Sequence, residues 1–339
     1  MSEPQLRVLP GAKFSCQGCG KCCTGFSFGP VEPQVIQNLI DQDMASKWPP
    51  AQEAPWYHEH TGPDGPDGTP VFSLAHRDGH CVFLRPDKLC AIHAELGESA
   101  KPWFCREYPV RIVQDAKGLT ATIRADCGGF SASYASGQPL DNQLQAALSL
   151  PRPVSYPHFD PEHVEVLPGV AISPENWLEL ESPLMAKVKA GGAGQGIVTL
   201  RQVLSKVTGR TLPAPSPAAA TQVLAYAITQ LRPQVEAKLA GLLPENPVPK
   251  AEQDPDFYRH VLLSDLLSKR FAAVGSLPAG LGLTLLEVQL AESLGGPNHL
   301  AQVQRLVQIP QNWNAIKTAK ATLTQLFLAW PADWPETAG

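Results

Sequence analysis

Cysteine is absent from most of this chain, because all eight cysteines lie between Cys16 and Cys127 of 339 residues. No run of about 18 apolar residues occurs, so the sequence predicts no membrane-spanning helix. The 27 lysines and arginines are scattered and the formal net charge is −5. This excludes the basic surface expected of proteins that bind nucleic acid or an anionic membrane.

The N-terminal sequence also lacks the features of a secretory signal: it has no basic segment before an apolar core and no small-residue cleavage site. We therefore expect a cytoplasmic protein. In that reducing compartment thiols stay reduced, and grouped cysteines more often bind metal or catalyse than form disulfides. A chain of this length can also bury a core without cross-links.

The uneven cysteine distribution predicts two domains. We expect a cysteine-rich metal-binding domain over residues 1–150, a proline-rich linker over 151–168 and a helical domain over 169–339. The predicted fold class is α+β and predominantly α: a small N-terminal domain with two β-hairpins, then an all-α C-terminal domain.

Helix-start signals recur in the C-terminal part, where an N-cap residue precedes proline or a helix-forming residue at Ser173, Thr199, Ser216 and Asp254. Each opens an amphipathic run, which predicts six or seven helices. In contrast, the segment Gly191–Gly196 follows a helical pattern rather than a strand. It is therefore predicted to be an interhelical linker and not a nucleotide-binding loop.

In the N-terminal part, Pro33 occupies a favourable first helical position and predicts a helix after the first cysteines. Residues 48–70 are rich in Pro, Gly and Asp and are predicted to form a long exposed loop, which includes His58 and His60. The Asp78-Gly79 turn predicts a hairpin with His76 opposite Cys81.

A second hairpin is predicted around the turn at residues 115–118. Pairing Gln114 with Leu119 and counting outward places Arg106 opposite Cys127. This register would make Cys105 a neighbour of Cys127 in space.

The candidate metal ligands are the eight cysteines, in three groups. They are Cys16, Cys19, Cys22 and Cys23, then Cys81 and Cys90 with His93 as a ninth donor, then Cys105 and Cys127. Spacing by two residues lets successive thiolates point at one centre. Because side chains of adjacent residues normally diverge, we expect Cys22 and Cys23 either to serve two centres or to include one thiol that does not bind metal.

The chemistry of these donors leaves two metals open. A C-x2-C-x2-C run fits an iron–sulfur cluster, and each C-x2-C unit also fits zinc. Eight thiols could fill two four-ligand sites, or one cluster and one mononuclear site. Lys101 and Arg106 flank Cys105 and are candidates for binding an anionic cofactor or stabilising thiolate charge.

Three blocks of sequence, FSCQGCGKCC (14–23), GHCVFLRPDKLCAIH (79–93) and KPWFCREYP (101–109), resemble the CxxCxxCC cysteine-cluster family of the YkgJ type, described as zinc- or iron-chelating. Seven cysteines match the family pattern; Cys127 lies outside its short blocks, and His93 stands where relatives often carry tyrosine. The family includes flagellin lysine N-methylase.

Three hypotheses for the function remain open, and the resemblance itself implies the second of them. The first is a cytoplasmic metal- or iron–sulfur-binding protein whose helical domain recognises a substrate or partner protein. The second is a protein lysine N-methyltransferase that uses S-adenosylmethionine. The third is a metal-sensing or metal-delivery module without turnover.

Overall fold

A computed structural model describes residues 6–24, 31–53, 55–60, 71–140, 144, 157–190, 193–214, 218, 220–222, 225, 257–308 and 310–330. The predicted fold class is confirmed: small β-sheets lie in the N-terminal part and helices dominate the C-terminal part. Within these ranges, no helix combines the length and the apolar character needed to span a membrane.

The strands are short and form one three-stranded sheet and four two-stranded pairs among the described residues. The three-stranded sheet joins Leu6–Val8, parallel, to Gly118–Ile123, which pairs antiparallel with Val110–Asp115. The two-stranded pairs are Lys13–Phe14 with Gln138–Pro139, Tyr57–His60 with Val71–Leu74, His76–Arg77 with His80–Cys81, and Val164–Leu167 with Val170–Ile172.

The first predicted hairpin is confirmed in its register. His76 pairs with Cys81, and the turn residues Asp78 and Gly79 have φ angles of 49° and 79°. Two positive φ angles are what a two-residue type I′ turn requires, and Asp-Gly is a favoured sequence for it. The local turn chemistry therefore fixes the position of Cys81.

The second hairpin is confirmed near its turn but not at its open end. Gln114 pairs with Leu119 as predicted, and the ladder continues outward only to Val110 and Ile123. The predicted pairing of Arg106 with Cys127 is wrong, because residues Trp103–Glu107 form a short helix. Cys105 therefore approaches the other cysteines from a helix and not from a strand.

The helices of the N-terminal part are short, and those of the C-terminal part are longer. The predicted helix after the first cysteines is confirmed, with Pro33 at its first turn. The N-terminal helices are Pro33–Asp41, Met44–Lys47, Ala91–Leu96, Trp103–Glu107 and Phe130–Ser133. The C-terminal helices are Pro174–Ala190, Ala193–Thr208, Phe257–Leu267, Leu277–Ser293, Leu300–Val307, Pro310–Thr318 and Lys320–Ala329.

The prediction of a long loop over residues 48–70 is wrong in the two stretches that the structure describes, although residues 58–60 are exposed as predicted. Pro49–Ala51 form a 3₁₀ helix, and Tyr57–His60 form a strand whose preceding residue, Trp56, is buried. Trp56 packs edge-on against Phe83, with ring centroids 5.7 Å apart. Both rings belong to a hydrophobic core of the N-terminal part, so the segment packs against that core. Residues 61–70 lie outside the described part.

Two expectations for the C-terminal part need correction. The predicted linker Gly191–Gly196 enters the helix Ala193–Thr208, where Gly196 packs so closely that an added Cβ would lie 3.0 Å from Val188 Cγ1. The predicted helix start at Thr199 is also wrong, because this residue lies inside the same helix. The start signals at Ser216 and Asp254 fall outside the described residues.

Two hydrophobic cores are present in the described chain. The larger joins the hairpin at residues 110–123 to the C-terminal helices through residues such as Ile112, Ala121 and Leu281. The smaller lies entirely between Val31 and Ala100. The division into domains at residues 150 and 168 stays a prediction, and the larger core takes residues from both sides of it.

A glycine lets two long helices meet at backbone distance. A Cβ on Gly282, in the helix Leu277–Ser293, would lie 2.0 Å from the carbonyl oxygen of Leu323, in the helix Lys320–Ala329. The obstacle is backbone, which cannot move aside as a flexible side chain can. These two helices therefore pack as closely as they do only because position 282 has no side chain.

Four buried charges join the first strand to the helices. Arg7 forms ion pairs with Asp115 and Glu181, and Lys269 binds the same two carboxylates, with both Nζ–oxygen distances at 2.9 Å. Asp115, Glu181 and Lys269 are fully or almost fully removed from solvent. Two cations and two anions thus neutralise each other inside the molecule, as buried charges require.

We predict that Glu181→Gln lowers the free energy of unfolding by about 3 kcal/mol or more, because it leaves two buried cations with one carboxylate. Urea denaturation followed by circular dichroism measures this change. Glu179→Gln, on the exposed face of the same helix, is the matched control and should have little effect. Equal stability of the two variants would contradict the assigned role of the charge network.

We also predict that Gly282→Ala destabilises the protein by about 1–3 kcal/mol, since the new methyl group would overpack the helix crossing. Glycine to alanine inside an ordinary helix has the opposite sign and stabilises by about 0.5–1 kcal/mol. The sign measured by urea denaturation is therefore diagnostic. A stabilised variant would show that the helices can separate at little cost.

Candidate metal centre

All eight cysteines line a single cavity of about 510 Å³, whose wall is mostly apolar. The cysteines are contributed by four parts of the chain: the loop at residues 16–23, the hairpin and helix start at residues 81–90, the helix Trp103–Glu107 and the segment at Cys127. All eight are free thiols in the structure. The cavity falls within the range of roughly 300–1,000 Å³ that small-molecule sites occupy.

The loop of the first four cysteines turns on two glycines. Gly18 and Gly20 have φ angles of 58° and 65°, a left-handed conformation that glycine adopts without strain. The loop ends in a 3₁₀ turn, Lys21–Cys23, and the Cys23 N–H donates to the Gly20 carbonyl at 2.9 Å. This tight turn directs Cys22 and Cys23 toward the cavity from one short segment.

The second cysteine group is held against the first by backbone contacts. Thr24 forms an isolated β-bridge with His80, next to Cys81. Cys90 forms a bridge with Leu84 and stands immediately before the helix Ala91–Leu96. The hairpin and the helix start thereby line the same cavity as the first loop.

Cys105 enters from the short helix Trp103–Glu107, beside the two cationic residues predicted from the sequence. Lys101 and Arg106 both line the cavity. The Arg106 guanidinium donates to the carbonyls of Ser99 and Lys101, at 3.1 and 2.8 Å. Lys101 lies close enough to Cys105 for its charge to lower the thiol pKa, although burial raises that pKa by more.

Cys127 reaches the first loop through the two glycines that follow it. A Cβ on Gly128 would lie 2.6 Å from Lys21 Cδ and 3.5 Å from Cys19 Sγ, so this segment packs directly on the loop. The Gly129 N–H donates to Cys127 Sγ at 3.4 Å. The sequence correctly predicted that Cys127 lies near the other cysteines, but for the wrong reason. The close packing of Gly128 on the first loop brings Cys127 there, and not an extension of the hairpin.

The adjacent thiols of Cys22 and Cys23 do not diverge. Their sulfur atoms lie 3.9 Å apart, with one thiol in hydrogen-bond contact with the other. A metal–sulfur bond of about 2.3 Å gives a sulfur–sulfur separation of about 3.8 Å at a tetrahedral ion. The sequence-based expectation is therefore wrong in its geometry, because these two thiols are spaced as two ligands of one metal would be.

The other thiols are spread around the cavity wall. Among the described residues, no three histidine, cysteine, aspartate or glutamate side chains are grouped so that they could hold one metal ion. The eight thiols thus surround a shared space and do not meet at one point. The assignment of each cysteine to a particular metal stays a prediction.

Burial keeps most of these thiols protonated when no metal is bound. It raises the pKa of Cys81 and of Cys127 to about 12 each, and it also raises the pKa of Cys19. The pKa of Cys22 is lowered, because Cys23 donates a hydrogen bond to its sulfur and Lys101 adds positive charge, although burial acts in the opposite direction. Since coordinated thiols are deprotonated, metal binding here would release protons.

A residue from the C-terminal part, which the sequence did not indicate, also contacts this site. Arg305, in the helix Leu300–Val307, donates to the carbonyl of Lys21 and to the carbonyl of Asp126, both at 2.9 Å. One guanidinium thus joins the first cysteine loop to the residue before Cys127. No motif marks Arg305, whereas the Gly128-Gly129 pair after Cys127 was a readable signal of close backbone approach.

The histidines near the site are more exposed than the thiols. His93 lines the cavity but is exposed on the helix Ala91–Leu96, so its role as a ninth ligand stays a prediction. His58 and His60 lie on the exposed strand Tyr57–His60, where His60 Nε2 is 2.8 Å from Ser73 Oγ. Neither of them lines the cysteine cavity.

Comparison with known proteins agrees with the cysteine pattern. Searches of curated proteins and of solved structures found no match. Residues 15–127 match the family model CxxCxxCC, described as "putative zinc- or iron-chelating domain". This range contains all eight cysteines and ends at Cys127. The predicted resemblance is confirmed: this third of the chain matches the model of that domain.

Proposed function

We propose that the cysteine cavity binds a polynuclear iron centre, an iron–sulfur cluster or a pair of clusters, with the eight cysteines as the ligand set. The observation that carries this proposal is the arrangement of the thiols: all eight line one cavity, yet no three are grouped for a single ion. A cluster contains several metal and sulfide ions and can join thiolates that lie farther apart than the ligands of one ion.

The chemistry of the cavity wall suits a cluster bound by thiolates. An iron–sulfur cluster, when bound, supplies electron transfer at a potential set by its charge, its hydrogen bonds and its exposure to solvent. Positive charge from Lys101 and Arg305 acts on Cys22, and the Gly129 N–H donates to the sulfur of Cys127. These residues would offset the negative charge of the thiolates, and the apolar wall would limit the access of water.

The cellular location and the other functions hypothesised from the sequence remain proposals. Free thiols lining the centre are suited to a reducing compartment such as the cytoplasm. Lysine methylation with S-adenosylmethionine stays a prediction that follows from the family resemblance. Recognition of a substrate or partner protein by the helical part also stays a prediction. Metal sensing or delivery would use the same cysteines without turnover.

We predict that the full-length protein, purified without oxygen, contains iron and acid-labile sulfide and shows the visible absorption of thiolate-bound iron. Cys105→Ser and Cys127→Ser should each remove most of the iron, although both residues are distant in sequence from the first cysteine loop. Elemental analysis and absorption spectra test this. Colourless protein with stoichiometric zinc, or retention of iron by both variants, would contradict the proposed centre.

The exposed His93 provides the matched control for these variants, because it lines the same cavity. We expect His93→Ala to keep the iron content and the spectrum of the parent protein. Loss of iron in this variant would instead assign histidine as a ninth ligand. Circular dichroism of every variant separates loss of metal from loss of fold.

We further predict that Arg305→Gln weakens metal binding by roughly 10- to 100-fold, the size of effect typical of residues that orient metal ligands. The substitution removes the guanidinium group, whose two hydrogen bonds hold the carbonyls of Lys21 and Asp126 in place. The measurement is the rate at which a chelator removes iron, compared with the urea stability of the same variant. Lys206→Gln, an exposed change on another helix, is the control. Chelation rates equal to those of the parent protein would exclude this positioning role.

A further inference from the structure

A second cavity, of about 300 Å³, is lined in part by residues 124–126, which come directly before Cys127 in the chain. The proposed metal centre uses none of its side chains as ligands. Its wall includes three arginines and two aspartates, together with several neutral polar residues and the ring of Trp313. The charged lining residues are Arg111, Arg124, Arg270, Asp126 and Asp265.

Two of the three arginines are fully paired with carboxylates. Arg270 binds Glu287 through both terminal nitrogens, at 2.6 and 2.5 Å, and also contacts Asp265 at 3.0 Å. Arg124 binds Asp126 in the same two-pronged manner, at 3.0 and 2.6 Å. These pairs leave little capacity on either guanidinium for a further ligand.

Arg111 is different, because its guanidinium has no hydrogen bond or ion pair with any residue in the described part of the chain. Burial lowers its pKa to about 10, and the charges of Arg270 and Arg124 act in the same direction, while Asp265 and Asp126 act in the opposite direction. The two nearby carboxylates, Asp265 and Asp126, each already bind another arginine. Arg111 is thus a half-buried cation without a carboxylate of its own, which is unfavourable unless a further anion compensates it. Every other charge of this wall has such a partner.

The remaining lining groups suit an organic or inorganic oxyanion. Gln304 and Gln308 bring amide groups to the cavity, and Trp313 supplies an apolar surface beside the arginines. The planar guanidinium fork matches the geometry of carboxylate and phosphate groups, which it binds bidentately. The cavity volume is at the lower end of the range for small-molecule sites.

We propose that this cavity is a binding site for a small oxyanion, a phosphate or carboxylate group, with Arg111 as its principal ligand-binding residue. The ligand would form the ion pair that Arg111 lacks within the described chain. The two ordered pairs, Arg124 with Asp126 and Arg270 with Glu287, would hold the cavity walls in position. This site is separate from the proposed metal centre and does not depend on its metal.

Isothermal titration calorimetry on the full-length protein at constant ionic strength tests this site, with inorganic phosphate and succinate as the two probes. We expect saturable binding of at least one probe, and an affinity about 10-fold or more lower in Arg111→Met, since the charge-assisted hydrogen bonds are lost. The two probes distinguish a phosphate site from a carboxylate site. Arg210→Met, which removes an exposed arginine, is the matched control and should bind like the parent protein.

Thermal unfolding gives a second measurement on the same variants. Without the probes, Arg111→Met should unfold at the same temperature as the parent protein or higher, because an unpaired buried charge has been removed. Added probe should then raise the unfolding temperature of the parent and of Arg210→Met, but not of Arg111→Met. Absence of binding by the parent protein, or equal binding by Arg111→Met, would overturn the proposal. The metal content of Arg111→Met should equal that of the parent protein, so a failure of the oxyanion site can be distinguished from a failure of the metal centre.

Discussion

The guanidinium of Arg305 joins the two parts of the chain at the cysteine cavity, since it holds the carbonyls of Lys21 and Asp126 together. Both carbonyls belong to loops that carry cysteines but have little regular structure of their own. A loop of this kind keeps its position only if buried backbone groups find partners elsewhere. The helix Leu300–Val307 supplies that partner, so the helical part contributes directly to the shape of the candidate metal centre.

That helix is in turn held by close packing and by paired charges. Gln304, on the same helix, donates to Glu287, whose carboxylate binds Arg270. Glu287 lies on the helix Leu277–Ser293, which meets the helix Lys320–Ala329 at Gly282. A chain of contacts therefore extends from the glycine crossing through the buried ion pair to the cysteine loops. Buried ion pairs contribute less to net stability than their number suggests, but they fix which groups lie next to one another.

The sequence predicted those features that depend on local chemistry. The Asp78-Gly79 turn set the register of Cys81, and Pro33 marked the start of a helix, because both preferences act within a few residues. The helix at Cys105 was missed because its five residues carry no periodic pattern. Arg305 was missed for a different reason. Its partners are backbone carbonyls far away in sequence, and since every residue has a carbonyl, no residue type identifies them. Gly128 lies between these two cases, because its contact with the first loop is long-range but the Gly-Gly pair that permits it is visible in the sequence.

The proposal of a cluster, and not of a single ion, rests on the geometry of the thiols. Cys22 and Cys23 alone are spaced as ligands of one metal, at 3.9 Å, while the other thiols stand apart around the same cavity. A single zinc ion would need two further thiolates to move inward to about 2.3 Å from it, and this would leave much of the cavity unfilled. A cluster with its own sulfide ions occupies that volume and reaches thiolates on several walls. In the function proposed above, the spread of the cysteines, which at first argues against a metal site, is the feature that favours iron–sulfur over zinc.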